Sequence, residues 1–103
     1  MFGLSEKNLI YIREGIKTFA EIERAVVFGS RAMGNYKRGS DIDIAIAGKN
    51  VTGETVAKLS EYLNEVAPLP YYVDVVDYNE ISNEELRKHI DTKGIELNIN
   101  SEG

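Results

Sequence analysis

Between Phe28 and Ile44 the chain reads FGSRAMGNYKRGSDIDI, and three features of that stretch have types and spacings that could do chemistry. Gly29-Ser30 follows an apolar run. There a glycine lets the backbone turn sharply and come close to a ligand, and the serine adds a hydroxyl and an N–H. Such a turn suits a phosphate. The ten residues between Ser30 and Asp41 carry Arg31, Lys37 and Arg38 and no acid. In a chain of net charge −5, that local basic stretch is what an anionic substrate would meet. Asp41 and Asp43 then stand two apart in an alternating segment, which on a strand projects both carboxylates from one face, about 7 Å apart.

Two like charges on one surface repel, and burying either alone is costly. A divalent cation removes the conflict. Mg²⁺ is a hard ion that takes one or two carboxylates, keeps water in other positions and then binds phosphate oxygens. A pair of such ions would stabilise both the attacking and the leaving oxygen of a phosphoryl displacement. That arrangement wants a third carboxylate. Asp74, in the middle of VDVVD, is a charged residue among apolar ones in a β-rich run, which packing explains poorly. If its strand neighbours Asp41–Ala47, Asp74 stands beside the pair as a metal ligand or as base for an incoming hydroxyl. Asp77 has the opposite parity and ranks below it.

The elements that must position these groups are legible in the pattern. Ser5 precedes an amphipathic helix carrying Leu9, Ile12, Ile16 and Phe19 at three- and four-residue steps. Ala25–Phe28 reads as a buried strand ending at Gly29, and residues 31–40 as a loop or a single helical turn. Asp41–Ala47 alternates, with Asp41, Asp43 and Ala45 on one face and Ile42, Ile44 and Ile46 on the other. Thr52 caps a second helix with the stripe Val56, Leu59, Leu63 and Val66, stopped near Pro68 and Pro70. Tyr71–Tyr78 is a third strand, and Ser82 with Glu85 forms a capping box for a helix carrying Leu86 and Ile90, ended by Gly94. Ile95, Leu97 and Ile99 alternate as a last short strand or extended tail. The order predicts an α/β (α+β) fold, a small mixed β-sheet flanked by helices, in a single domain over residues 1–103.

Composition narrows the chemistry further. The chain has no cysteine and one histidine, which excludes disulfides, thiolate sites and histidine-cluster zinc sites. Seventeen acids against twelve bases argue against a surface that binds duplex nucleic acid. No apolar run is long enough for a membrane span, and no secretory signal opens the chain, so a cytoplasmic protein is expected. What remains is carboxylate chemistry. His89 reads as a solvated residue on a helix flank, and the six tyrosines chiefly as packing.

GSRAMGNYKRGSDIDI resembles the signature of the polymerase-β-like nucleotidyltransferases, a Gly-Ser pair followed by Asp-x-Asp on the next strand. In so short a chain it is most similar to the minimal nucleotidyltransferase (MNT) family; the gap from Ser30 to Asp41 and the Ser40 before it also match. The resemblance implies that Gly29, Ser30, Arg31 and Ser40 meet the nucleotide, that Asp41 and Asp43 bind Mg²⁺, and that Asp74 completes the catalytic and metal site. Met33 departs from the pattern, since many relatives carry a second Arg there; phosphate binding would then lean more on Arg31 and on Lys37 or Arg38. The resemblance further implies a HEPN-domain toxin as partner and ATP as substrate. The protein would be an antitoxin of a type VII-like pair that transfers AMP to a tyrosine hydroxyl of the toxin, as a homo- or hetero-oligomer. With no length for an acceptor-binding domain, the acceptor is expected on the partner. Two alternatives stand beside this one: a non-catalytic nucleotide-binding antitoxin that covers its toxin, and transfer to a small molecule of the aminoglycoside type.

Overall fold

The computed structural model describes residues 1–37 and 39–99. Ser5 opens α1 (Glu6–Lys17), its hydroxyl accepting the Asn8 N–H at 3.1 Å, and Leu9, Ile12 and Ile16 are buried on one side. Next come β1 (Arg24–Phe28) and α2 (Ser30–Met33), a single helical turn. After them come β2 (Ile42–Ala47), α3 (Gly53–Glu61), β3 (Val73–Asp77), α4 (Glu84–Lys93) and β4 (Ile95–Glu96). The strands form one mixed sheet in the order β3-β2-β1-β4, with β2 parallel to β3 and antiparallel to β1. Among the described residues no helix is long and apolar enough to cross a membrane.

The alternation of β2 divides the sheet into two faces. Ile42, Ile44 and Ile46 join Ala25, Val27, Val73 and Val75 against Leu9, Ile12 and Ile16 of α1 and Leu59 of α3. Each fully buried aliphatic side chain there contributes about 1.5–3 kcal/mol. On the other face Val26, Phe28 and Ala45 pack with Ile90 of α4 and with the partly buried Val76, Tyr78, Ile81 and Leu86. Asp43 has the parity of Ala45 and belongs to this second, less crowded face.

Three details differ from the pattern. The helix after Thr52 widens into a π-helical turn at Tyr62–Val66. The extra residue per turn shifts the phase of the apolar stripe, so Leu63 stays buried while Val66 is 67% exposed. The same turn carries Asn64 to the sheet edge. Its amide donates to the Val73 carbonyl at 2.9 Å and accepts the Val73 N–H at 2.8 Å. Val73 is thereby satisfied on the side that no strand covers.

β3 begins two residues later than predicted, although the ladder continues through an Ile42 N–H donated to the Tyr72 carbonyl at 2.9 Å. Asp41 likewise lies one residue before β2. Finally, α4 is capped by Asn83, whose side chain accepts the Leu86 N–H at 2.9 Å; the Ser82–Glu85 box does not form. Asn and Ser are equivalent caps chemically. Here Arg87 settles the frame by donating to the Tyr78 and Ile81 carbonyls, which fixes how the chain approaches α4.

Candidate active site

β1 runs straight into the turn. Gly29 adopts φ 77° and ψ −156°, a region essentially restricted to glycine, and Ser30 begins α2. Space demands glycine as well. The Asp43 Oδ2 lies 2.6 Å from the point where a Cβ on Gly29 would sit. The Gly-Ser turn and the Asp-x-Asp segment therefore touch through a missing side chain.

The register brings the acids together. Asp43 pairs with Phe28 on β1 and with Asp74 on β3, so the two aspartates are side-by-side neighbours on parallel strands. Adjacent strands lie about 4.8 Å apart, which puts both carboxylates on one patch of one face. Asp41 is exposed just before β2. Burial first, and then the charges of Asp74 and Asp41, push the Asp43 carboxyl above its ordinary carboxylate range. Among the described residues the ion pairs are Lys17–Glu14, Arg24–Glu96 and Lys58–Glu54, none of which neutralises these aspartates. Uncompensated carboxylates of this kind are the donor chemistry that a hard divalent cation satisfies. Asp41, Asp43 and Asp74 supply oxygens of that chemical type. As they stand, no three acidic or histidine side chains among the described residues converge closely enough to grip an ion.

Arg31 occupies a different environment from that expected of a phosphate ligand. It is 3% exposed, and its guanidinium donates to the Ser40 carbonyl at 2.8 and 3.1 Å and to the Phe2 carbonyl at 2.9 Å. The rings of Tyr36 and Tyr71 lie 4.8 and 4.6 Å from its central carbon. Those contacts tie both ends of the loop before Asp41 to the N-terminal segment. Ser40 closes the loop, its hydroxyl accepting the Lys37 N–H at 2.9 Å. Lys37 is exposed, and Arg38 lies outside the described residues.

His89 is the site neighbour that sequence reasoning missed. It is half-buried, and its Nε2 accepts the Gly29 N–H at 3.0 Å. One signal could have found it. His89 follows Leu86 by three residues, which places it on the inward stripe of α4 instead of the solvated flank.

A mixed sheet carrying a glycine-serine turn against paired aspartates defines the nucleotide-transferring class of α+β domains. Residues 11–103 match the family described as polymerase beta, nucleotidyltransferase, and the chain belongs to that family. A comparison with curated protein sequences returns no match. Solved structures similar to it include a toxin–antitoxin complex with AMP-PNP, at 26% identity and TM-score 0.69, the match covering 90% of this chain and 72% of that one. A mutant of the MntA toxin–antitoxin complex matches at 25% identity and TM-score 0.67, covering 91% and 72%. The tri-AMPylated HEPN toxin of Shewanella oneidensis in complex with MNT antitoxin matches at 21% and 0.67, covering 90% and 71%, a likeness of fold. The fold is thus that of MNT antitoxins solved with HEPN toxins.

Proposed function

We propose that this domain is a Mg²⁺-dependent adenylyltransferase that moves AMP from ATP to a tyrosine hydroxyl of a partner HEPN toxin and so acts as its antitoxin. The observation that carries the reading is the side-by-side register of Asp43 and Asp74, next to the turn that Gly29 presses against Asp43. Family membership supports the reaction class. The similarity to a toxin–antitoxin complex with AMP-PNP supports the nucleotide and the kind of partner.

In this reading Asp41, Asp43 and Asp74 hold Mg²⁺, which when bound supplies charge neutralisation at the phosphates. Gly29 and the Ser30 hydroxyl steady the triphosphate. The acceptor oxygen bonds to the α-phosphorus while the bond to the bridging oxygen breaks and pyrophosphate leaves. Asp74 would take the acceptor's proton on a carboxylate oxygen. Arg31 and Ser40 act one step back, holding the loop that delivers Asp41. Catalysis on this plan is mostly positioning and charge placement.

The test is transfer of label from α-labelled ATP to the HEPN protein. The expected result is labelling that needs Mg²⁺ and disappears in Asp43→Asn. Absence of any Mg²⁺-dependent label overturns the reading. Equal protection from the toxin by wild type and by an Asp41→Ala, Asp43→Ala double variant, at equal expression, would replace transfer with simple covering of the toxin.

A further inference from the structure

α4 packs on the second sheet face mainly through apolar contacts of Ile90 and Leu86, and His89 adds one polar tie to the site. Its Nε2 takes the Gly29 N–H at 3.0 Å, while its ring stands edge-on to Phe28, centroids 6.2 Å apart and planes at 76°. Only an unprotonated ring nitrogen can accept from an N–H, so the neutral ring carries its proton on Nδ1. The backbone group so held belongs to the residue whose missing side chain leaves room for the Asp43 carboxylate and whose successor is Ser30. An orphaned N–H at this half-buried point would seek another partner and turn the peptide with it.

We infer that His89 is a positioning residue for the nucleotide turn, its bare Nε2 holding the Gly29 N–H on the α4 side so that Ser30 and Asp43 keep their places. This rests on the nucleotide-binding reading above. The contacts of Val26, Phe28 and Ala45 with Ile90 do not depend on the imidazole. Removing the imidazole therefore weakens nucleotide binding more than it weakens the fold.

Three variants separate the role from mere packing: His89→Gln, whose amide oxygen reaches the Nε2 position, and His89→Asn and His89→Ala, which do not reach it. AMP-PNP with Mg²⁺ is titrated into each full-length protein, and ring and Gly29 amide nitrogens are followed by NMR. The expected result is an affinity loss of about tenfold in His89→Ala and His89→Asn, a single hydrogen bond's worth, with His89→Gln restoring most of it. Wild type should show the Nδ1–H tautomer, and the Gly29 amide signal should move in the Ala and Asn variants and return in Gln. An Nε2–H tautomer, or equal affinity and equal Gly29 signal in all three variants, overturns the inference. If wild type binds no AMP-PNP, the nucleotide reading fails by itself, and the tautomer with the Gly29 signal still decides the role of His89.

Discussion

Asp43 and Asp74 are register partners across the parallel pair β2–β3, and the same Asp43 fills the space that a side chain on Gly29 would need. Three sequence-distant segments therefore meet at one carboxylate, and a change in any of them should be felt there.

Neutralising that carboxylate should separate chemistry from folding. Asp43→Asn is nearly isosteric and leaves the apolar contacts of β2 untouched, so the expected loss is about 10³-fold or more in adenylyl transfer, the scale on which electrostatic site groups act. The circular dichroism spectrum should be unchanged. Transfer within tenfold of wild type would remove Asp43 from the site.

The pH dependence has a definite sign. Burial and the charges of Asp74 and Asp41 raise the folded-state pKa of Asp43, so between its ordinary and its raised value the folded protein binds more protons than the unfolded one. This contribution to stability is fully present below the ordinary value and is lost as pH rises through the raised one. Metal-free wild type should therefore melt progressively lower across that window. Asp43→Asn should flatten this part of the profile and melt above wild type at neutral pH. Melting curves at stepped pH, with a chelator present, check it.

Gly29→Ala should be damaging twice over. The φ of 77° with ψ of −156° costs a non-glycine residue about 1–3 kcal/mol. The new methyl also meets the Asp43 Oδ2, which must swing away. A fall in melting temperature on the order of 10 °C is expected for a domain of this size. Transfer should fall further than the stability loss explains, and an activity assay well below the melting point distinguishes the two effects.

Arg31→Ala should unfold the loop's anchorage and not simply weaken phosphate binding. It leaves the Ser40 and Phe2 carbonyls without their donor and empties the space between Tyr36 and Tyr71. The expected cost is about 2–4 kcal/mol, and Arg31→Lys should recover only part of it because an ammonium cannot serve both carbonyls in plane. Denaturant melts measure this. An Arg31→Ala protein as stable as wild type, yet weak in nucleotide binding, would return Arg31 to the phosphates.

What the sequence by itself determined is whatever depends on period and local chemistry. The alternation of Ile42, Ile44 and Ile46 set β2 and assigned Asp43 its face; Ser5 and Thr52 capped their helices; Gly29-Ser30 marked the turn that follows β1. Near neighbours constrain such features, so near neighbours suffice to read them. Only the tertiary structure decided which strand lies beside β2, that Arg31 is enclosed by two tyrosine rings and two carbonyls, and that His89 reaches Gly29 across 60 residues. It also decided that the π-helical turn sends Val66 outward and Asn64 to the sheet edge. Hydrogen bonds and charges between distant segments leave no periodic trace, because a polar residue facing solvent and one facing a buried partner look alike in a linear pattern. The sequence thus holds the groups that could do the chemistry, while the packing of α4 and β3 against β1 and β2 decides which of them stand together.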